Sequence, residues 1–264
     1  MKQSIFLLRS NKLSLFNSVQ IYFYGIFISL GVFLGYFFSK KRAKKNGIKE
    51  EILDSVYLLL IPFSVLGARI YHVLSWLSYY LLFPREVFSI RNGGLGIFGS
   101  IIFGILALFL FCKIKKQDFI LILDLISPSI LLSQAIGRVG NFFNQEAFGP
   151  PTDLPWKFYV SPDKRPIEFI SFSYFHPTFF YEAILCILAF LIILVLEKNL
   201  KPAKGFSSGS YLFSYGLIRF FTEFLRFDTW KIFGFKMAQV ISVMFVGIGL
   251  YLIKSGMKGQ KLIK

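Results

Sequence analysis

The sequence has little cysteine, histidine and acid. It contains two cysteines, two histidines and 14 acidic residues, against 30 lysines and arginines. Both cysteines, Cys112 and Cys186, lie within or at the edge of apolar runs, and they lack the spacing of a zinc site or a disulfide framework. We therefore expect neither a metal nor a cofactor, and we look for chemistry among arginines and carboxylates instead.

The basic excess does not indicate a nucleic-acid-binding protein. The net charge is +16, but the basic residues fall in short clusters between apolar runs rather than along one surface. Hydrophobic residues make up 55% of the chain, above the roughly 45–50% of an ordinary soluble domain. The first apolar run lacks a small-residue cleavage pattern, so we expect it to stay as a spanning helix. This pattern is typical of a membrane protein.

The apolar runs predict an all-α integral membrane protein with seven transmembrane helices. About 20 helical residues cross the hydrocarbon core of a bilayer. Runs of about that length cover residues 18–39, 52–74, 94–112, 119–136, 178–196, 208–225 and 237–253. We expect residues 1–264 to form a single polytopic membrane domain without internal repeats.

The connections between the runs differ in basic content. One alternate set (40–50, 113–117, 197–204 and 254–264) carries 16 lysines and arginines in 35 residues; the other (1–16, 83–92, 137–177 and 226–236) carries 12 in 78. By the positive-inside rule the first set is cytoplasmic, which puts the N-terminus outside and the C-terminus in the cytoplasm. Residues 137–177, with six of the ten prolines, are then predicted to be an extracytoplasmic loop region between spans 4 and 5.

Ionisable residues mark the sixth span as unusual. Tyr215, Arg219, Glu223 and Arg226 follow one another at i, i+4, i+8 and i+11, which predicts one polar stripe on a helix. An arginine at the bilayer centre costs about 2.5–3.5 kcal/mol on insertion scales, so it needs a partner or a purpose. An Arg219–Glu223 pair that neutralises itself is the structural alternative, but it leaves Arg226 unexplained.

A second polar group lies at the outer end of the fourth span. Arg138, Asn141, Asn144 and Glu146 supply a guanidinium, two amides and a carboxylate within nine residues, and Gly149 follows them. Arginine can bind phosphate with two parallel hydrogen bonds, and at this depth the phosphate would belong to a lipid headgroup. The alternative is a structural loop whose arginine reaches the membrane interface.

Four further residues could belong to the same site. Glu182 lies about one turn inside the fifth span, where a carboxylate needs a cationic neighbour. His176 precedes that span and could either cap the helix or transfer a proton. Arg69 lies within the second span and, like Arg219, needs a partner or a purpose there. Tyr24 could belong to an aromatic belt or to the site.

Together these segments resemble the prolipoprotein diacylglyceryl transferase family. Residues 137–149 match its signature Gly-Arg-x-x-Asn-Phe-x-Asn-x-Glu-x-x-Gly. Supporting matches run in the family's order over nearly the whole chain: Tyr24-Gly25, Gly67-Ala68-Arg69, Gly93-Gly94-Leu95, His176-Pro177-Thr178, Tyr181-Glu182, Tyr215-Gly216, Arg219 to Glu223, and Gln239. One position departs from the pattern, because Phe98 stands where some members carry histidine. A histidine general base cannot be assigned there.

The resemblance implies a multi-pass protein of the bacterial cytoplasmic membrane. Its partners would be phosphatidylglycerol, other membrane lipid and prolipoprotein signal peptides that bear a lipobox cysteine. The diacylglyceryl group would move to the cysteine thiol, forming a thioether and releasing glycerol phosphate. Because a thiol is mostly protonated at neutral pH, this reaction benefits from a base, and the departing phosphate benefits from cations.

The same resemblance suggests roles for the residues named above. Arg138 and Arg219 would hold the phosphate, with Arg226 or Arg69 as a secondary cation. Asn141, Asn144 and Tyr24 would orient the headgroup or the peptide, and Gly149, His176 and Glu182 would belong to the substrate-binding residues. Glu146 or Glu223 would either position an arginine or accept the thiol proton, and the sequence leaves both roles open.

Three competing functions remain at this point. A purely structural membrane scaffold would tolerate the loss of Arg138, Asn141 and Arg219. A transporter or channel for an anionic solute or lipid would also use intramembrane arginine. A phospholipid hydrolase would differ only in using water in place of the thiol.

Overall fold

Most of the described residues form helices. The structure, a computed structural model, describes residues 12–15, 19–90, 93–227, 229, 231–232 and 234–261. The α-helices in these ranges are α1 Phe23–Lys45, α2 Glu50–Ser75, α3 Leu77–Leu82, α4 Ile97–Ile114, α5 Phe119–Asn144, α6 Thr178–Leu200, α7 Phe206–Thr222 and α8 Met237–Lys261. Short 3-10 helices cover Pro84–Phe88, Pro162–Lys164, Ile167–Phe169 and Glu223–Leu225.

Three small antiparallel hairpins complete the described structure. Strand β1 (Lys12–Leu15) pairs with β2 (Val19–Tyr22), β3 (Phe158–Tyr159) with β4 (Tyr174–Phe175), and β5 (Lys231–Ile232) with β6 (Phe235–Lys236). The pairing of β2 delays the start of α1 to Phe23, whereas the apolar run predicted a helix from residue 18.

Six helices in the described ranges are long and apolar enough to cross a membrane. They are α1, α2, α4, α5, α6 and residues 237–258 of α8. Large apolar side chains such as Leu58 and Tyr251 stay more than two-thirds exposed on these helices, as expected for surfaces that face lipid. The chain is therefore a multi-pass membrane protein. The sixth predicted span corresponds to α7, which has 17 residues.

The chain contains two compact units. One comprises residues 39–122, and the other comprises residues up to 38 together with 123–264. In the 39–122 unit, α2 packs on α4 through facing glycines: a Cβ added to Gly67 would lie 2.5 Å from the carbonyl oxygen of Gly99. Small residues let two helix backbones approach closely in a membrane. The single-domain organisation stays a prediction.

In the other unit, α7 packs between α6 and α8. Helices α7 and α8 approach each other closely at two glycines. A Cβ added to Gly216 would lie 2.8 Å from the carbonyl oxygen of Ser242, and one added to Gly249 would lie 2.6 Å from the amide nitrogen of Phe213. A buried apolar cluster joins α5, α6 and α7, and it includes Leu131, Ala135, Cys186, Ile193 and Ile218. This apolar cluster packs together the three helices that carry the polar residues described below.

Helix α5 is longer than the sequence predicts. It continues to Asn144, so the first part of the predicted loop region 137–177 is helical. The physical reason is that Arg138 and Asn141, three positions apart, lie on one face of a helix and find polar partners there. The segment that follows, residues 145–177, contains two 3-10 helices and the β3–β4 hairpin.

Candidate active site

A fully buried carboxylate forms the centre of the site. Glu182 lies in the second turn of α6 and has no exposed surface. One carboxylate oxygen accepts a hydrogen bond from Arg138 Nη2. The other accepts one from Arg226 Nη2 at 3.0 Å and lies 3.9 Å from Arg219 Nη1. The sequence predicted a cationic neighbour for this carboxylate, and the structure provides three.

A second ion pair connects the end of α7 to the cluster. Arg219 Nη2 lies 2.7 Å from Glu223 Oε2, and Glu223 is only 1% exposed. The Arg219–Glu223 pair considered from the sequence therefore forms, but it does not stand alone, because Arg219 also faces Glu182. Two buried carboxylates thus share three arginines.

Arg226 reaches the site by a different route from the predicted one. Helix α7 ends at Thr222, and a 3-10 turn from Glu223 to Leu225 follows. Arg226 itself has extended backbone angles (φ −114°, ψ 134°), so the predicted single helical stripe is wrong at its last member. Burial and the neighbouring Arg219 lower the pKa of Arg226, while Glu182 acts in the opposite direction.

The end of α5 contributes a connected set of amides and a carboxylate. Arg138 Nη1 donates to Asn141 Oδ1 at 3.3 Å, and Asn141 Nδ2 donates to Glu146 Oε1 at 2.8 Å. Asn144 Nδ2 donates to the same oxygen at 3.2 Å. A continuous chain of hydrogen bonds therefore leads from buried Glu182 through Arg138 and Asn141 to Glu146, which is exposed.

The cluster keeps unused donors and positive charge. Its three guanidinium groups exceed its two buried carboxylates by one charge. Among the described residues, the buried atoms Arg219 Nη1 and Arg226 Nε have no hydrogen-bond partner. Neither do the acceptors Asn144 Oδ1 and Glu223 Oε2, although the latter lies 2.7 Å from Arg219 Nη2 as an ion pair. Buried N–H groups are normally paired, so these donors indicate a place for an anion.

Lys236 was missed in the sequence. Its ammonium donates to the carbonyl oxygen of Glu223 at 2.7 Å and to that of Arg226 at 2.9 Å. It is the last residue before α8, and a lysine directly in front of the final apolar run was the only signal that could have indicated it. Its partners are main-chain carbonyls, so the residue types around it do not reveal its contact with the 3-10 turn.

The segment after α5 is fastened to the start of α6 around Gly149. The Gly149 amide donates to the carbonyl oxygen of His176 at 2.8 Å, and a Cβ at this position would lie 2.8 Å from the carbonyl oxygen of Leu225. His176 Nδ1 lies 3.2 Å from the hydroxyl of Tyr181, which also accepts a hydrogen bond from Trp156 Nε1 at 2.8 Å. The described contacts of Gly149 and His176 are thus with the protein itself, and their substrate-binding roles stay predictions.

Tyr24 packs beside the signature residues of α5. A Cβ on Gly140 would lie 2.7 Å from the ring of Tyr24, so this glycine, between Arg138 and Asn141, makes room for the tyrosine. The structure therefore brings Tyr24 next to the helix segment that carries the site. Its predicted role in catalysis is not tested by this contact.

Arg69 belongs to the 39–122 unit and is occupied by backbone carbonyls. Its Nε donates to Val87 at 2.8 Å and its Nη1 to Gly93 and Gly94, each at 3.0 Å, while Nη2 donates to Glu86. The side chain thereby orders the connection between α2 and α4. Its role as a secondary phosphate ligand stays a prediction. Phe98, in the first turn of α4, has its ring centroid 5.9 Å from that of Tyr71.

Comparison with known proteins gives consistent matches. The sequence model of a family described as prolipoprotein diacylglyceryl transferase matches residues 12–254. Similar proteins, each named phosphatidylglycerol–prolipoprotein diacylglyceryl transferase, occur in Nostoc sp. (39% identical, covering 88% of this chain and 84% of the relative), Acaryochloris marina (39%, covering 92% of each) and Finegoldia magna (38%, covering 89% and 90%). The matched region includes every site residue described above.

Proposed function

The chain belongs to the prolipoprotein diacylglyceryl transferase family, and we propose that its arginine–glutamate cluster holds the phosphate of phosphatidylglycerol during the family's reaction. As a member, the protein transfers the diacylglyceryl group of phosphatidylglycerol to a prolipoprotein. In the proposed step, the lipobox cysteine sulfur bonds to the phosphate-bearing carbon of the diacylated glycerol, not to that of the headgroup glycerol. The carbon–oxygen bond to the phosphate breaks, glycerol phosphate leaves with the bonding pair, and a base takes the thiol proton.

The unpaired donors carry this proposal. Arg219 Nη1 and Arg226 Nε are buried without hydrogen-bond partners among the described residues, beside one surplus positive charge, and Arg219 Nη1 lies 3.9 Å from a Glu182 oxygen. A phosphodiester supplies one negative charge and two free oxygens. An unsatisfied buried donor costs about 1–3 kcal/mol, so a phosphate that pairs with both donors removes that cost and neutralises the site.

Arg138 has a supporting place in this scheme. Its two terminal nitrogens are held by Glu182 and Asn141, so the guanidinium plane is fixed before substrate binds. A fixed cation stabilises charge that develops on the leaving oxygen without having to reorganise during the reaction. The carboxylate of Glu182 keeps the three arginines together despite their mutual repulsion.

The two candidate bases have different surroundings. Glu223 is buried and held in an ion pair with Arg219, so it is poorly placed to reach a substrate thiol. Glu146 is exposed, and within the described part of the chain its side chain accepts hydrogen bonds from the amides of Asn141 and Asn144. We assign Glu146 to the thiol proton and Glu223 to the positioning of Arg219. The free Asn144 Oδ1, near Glu146, is suited to accept from a hydroxyl of the glycerol headgroup.

A seven-span arrangement in the bacterial cytoplasmic membrane accounts for the position of the site. Helix α7, with 17 residues, is about 26 Å long at 1.5 Å per residue, close to the roughly 30 Å hydrocarbon core, and the 3-10 turn extends it. If α7 spans, then the end of α5, the start of α6 and the end of α7 share one side of the membrane. The sparse basic residues of the connections on that side favour the extracytoplasmic face, with residues 145–177 outside and the C-terminus in the cytoplasm.

The reaction itself is the direct test. Purified protein in vesicles, given phosphatidylglycerol and a lipobox peptide, should add one diacylglyceryl mass to the peptide and release an equal amount of glycerol phosphate. A peptide with serine in place of the cysteine should give neither product, because a hydroxyl is a far weaker nucleophile near neutral pH. Glycerol phosphate released without peptide would indicate a hydrolase. Vesicle flux of an anionic solute without any adduct would indicate a transporter.

A further inference from the structure

We propose that Lys236 is a positioning residue whose charge makes the site stabilise the departing glycerol phosphate more strongly than the bound lipid. The inference rests on the proposed function, because it concerns the phosphate group that the arginine–glutamate cluster holds. Lys236 adds a positive charge beside that cluster.

The geometry ties Lys236 to two members of the cluster. Its ammonium bonds the main-chain carbonyls of Glu223 and Arg226, whose side chains in turn bind Arg219 and Glu182. The 3-10 turn between these two carbonyls follows directly on the C-terminal end of α7. A cation is favourable at the carbonyl end of a helix, so this lysine both fixes the turn and adds charge behind it.

The added charge changes the balance of the site. Among the buried groups, and leaving exposed Glu146 aside, the three arginines exceed Glu182 and Glu223 by one charge; Lys236 raises this surplus to two. The phosphodiester of phosphatidylglycerol carries one negative charge. The released glycerol phosphate is a monoester with a second pKa of about 6, so it carries close to two negative charges at neutral or alkaline pH.

The surplus therefore matches the product side of the reaction. As the carbon–oxygen bond breaks, the phosphate gains a negative charge that the lipid did not have. Interactions that strengthen only in the transition state raise kcat, whereas those that bind substrate and transition state equally only lower KM. Lys236 acts through the backbone of Arg226 and through the field at the phosphate, without touching the reacting atoms.

The test compares two inhibitors of different charge. Glycerol phosphate is the dianionic monoester, and glycerophosphoglycerol, which is phosphatidylglycerol without its acyl chains, is a monoanionic diester. At pH 8, Lys236→Met should weaken inhibition by glycerol phosphate by about tenfold, the order expected when one elementary charge is removed from a partly buried site. Inhibition by the diester should weaken by about threefold, because half the charge loses half of the interaction free energy. The variant should lose more in kcat than in the KM for phosphatidylglycerol.

Two further variants separate charge from structure. Lys236→Arg keeps the charge and the donors, so it should restore most of the discrimination between the two inhibitors. Lys164→Met removes an exposed lysine from the 145–177 segment and should leave both inhibition constants unchanged. Melting temperature in detergent and the amount of inserted protein are matched for all variants.

Several results would overturn the proposal. Equal weakening of both inhibitors by Lys236→Met would show a purely structural clamp, and unchanged discrimination would remove any role in charge matching. A Lys236→Arg variant as impaired as Lys236→Met would also contradict it. Calorimetric binding of the two inhibitors gives the same comparison without turnover, so a wild-type protein that forms no peptide adduct would refute the proposed function alone.

Discussion

Replacing Arg138 with lysine separates the charge of this side chain from its shape. Arg138 uses one terminal nitrogen for Glu182 and the other for Asn141 Oδ1, at 3.3 Å. Lysine keeps the positive charge but offers one nitrogen on a flexible stem. We expect the ammonium to stay with Glu182, because a buried carboxylate that loses a partner is costly, and to give up Asn141.

The size of the effect follows from the lost contact. A hydrogen bond to a charged group contributes about 1.5–3 kcal/mol, which corresponds to roughly 10- to 150-fold in kcat/KM. Asn141 would also lose the partner that orients it toward Glu146. Because the charge count is unchanged, the protein should still insert and fold, so the loss should be seen in turnover rather than in yield.

The assay is steady-state transfer of the diacylglyceryl group to a lipobox peptide, on equal amounts of inserted protein. The matched control is Arg165→Lys, since Arg165 also uses two nitrogens, but they donate to the carbonyls of Val160 and Ile170 in the 145–177 segment. The control should stay within about twofold of the parent, as most substitutions away from a site do. Arg138→Lys activity within about threefold of the parent, or an equal loss in the control, would refute the reasoning.

The remaining predictions concern the buried carboxylate and the topology. Glu182→Gln leaves three arginines facing only Glu223, so we expect it to destabilise the protein by about 3–5 kcal/mol, measured as a lower midpoint of unfolding in detergent; an unchanged midpoint would contradict the central place of this carboxylate. A cysteine introduced at Ser161 should react with an impermeant thiol reagent added to intact cells, whereas one at Ala203 should react only after permeabilisation; the opposite labelling would invert the proposed orientation.

Local patterns carry most of what could be predicted from the sequence. Residues 137–149 hold an arginine, two asparagines and a glutamate close together in sequence, and short sequence separation guarantees that they lie close in space. The Arg219–Glu223 pair is likewise a matter of helical spacing. Runs of apolar residues predicted the six helices that, within the described residues, are long and apolar enough to cross a membrane.

Contacts between distant segments could not be derived in this way. Glu182 and Arg226 are 44 positions apart, and only the packing of α6 beside α7 brings them to 3.0 Å. The helical stripe failed at Arg226 because spacing rules assume that a helix continues, whereas α7 gives way to a 3-10 turn. Lys236 was missed because its partners are main-chain carbonyls, which leave no trace in the residue types around it.

Helix α7 has a consequence for how the chain is made. It is short and carries Arg219 in its last turn, so on its own it is a poor signal for insertion during synthesis. Its close glycine contacts are with α8, and one counter-charge to Arg219, Glu182, lies on α6. We therefore expect α7 to insert stably into the bilayer only after both α6 and α8 have been synthesised. A chain interrupted before α8 should then be incompletely integrated and become a substrate for membrane proteolysis.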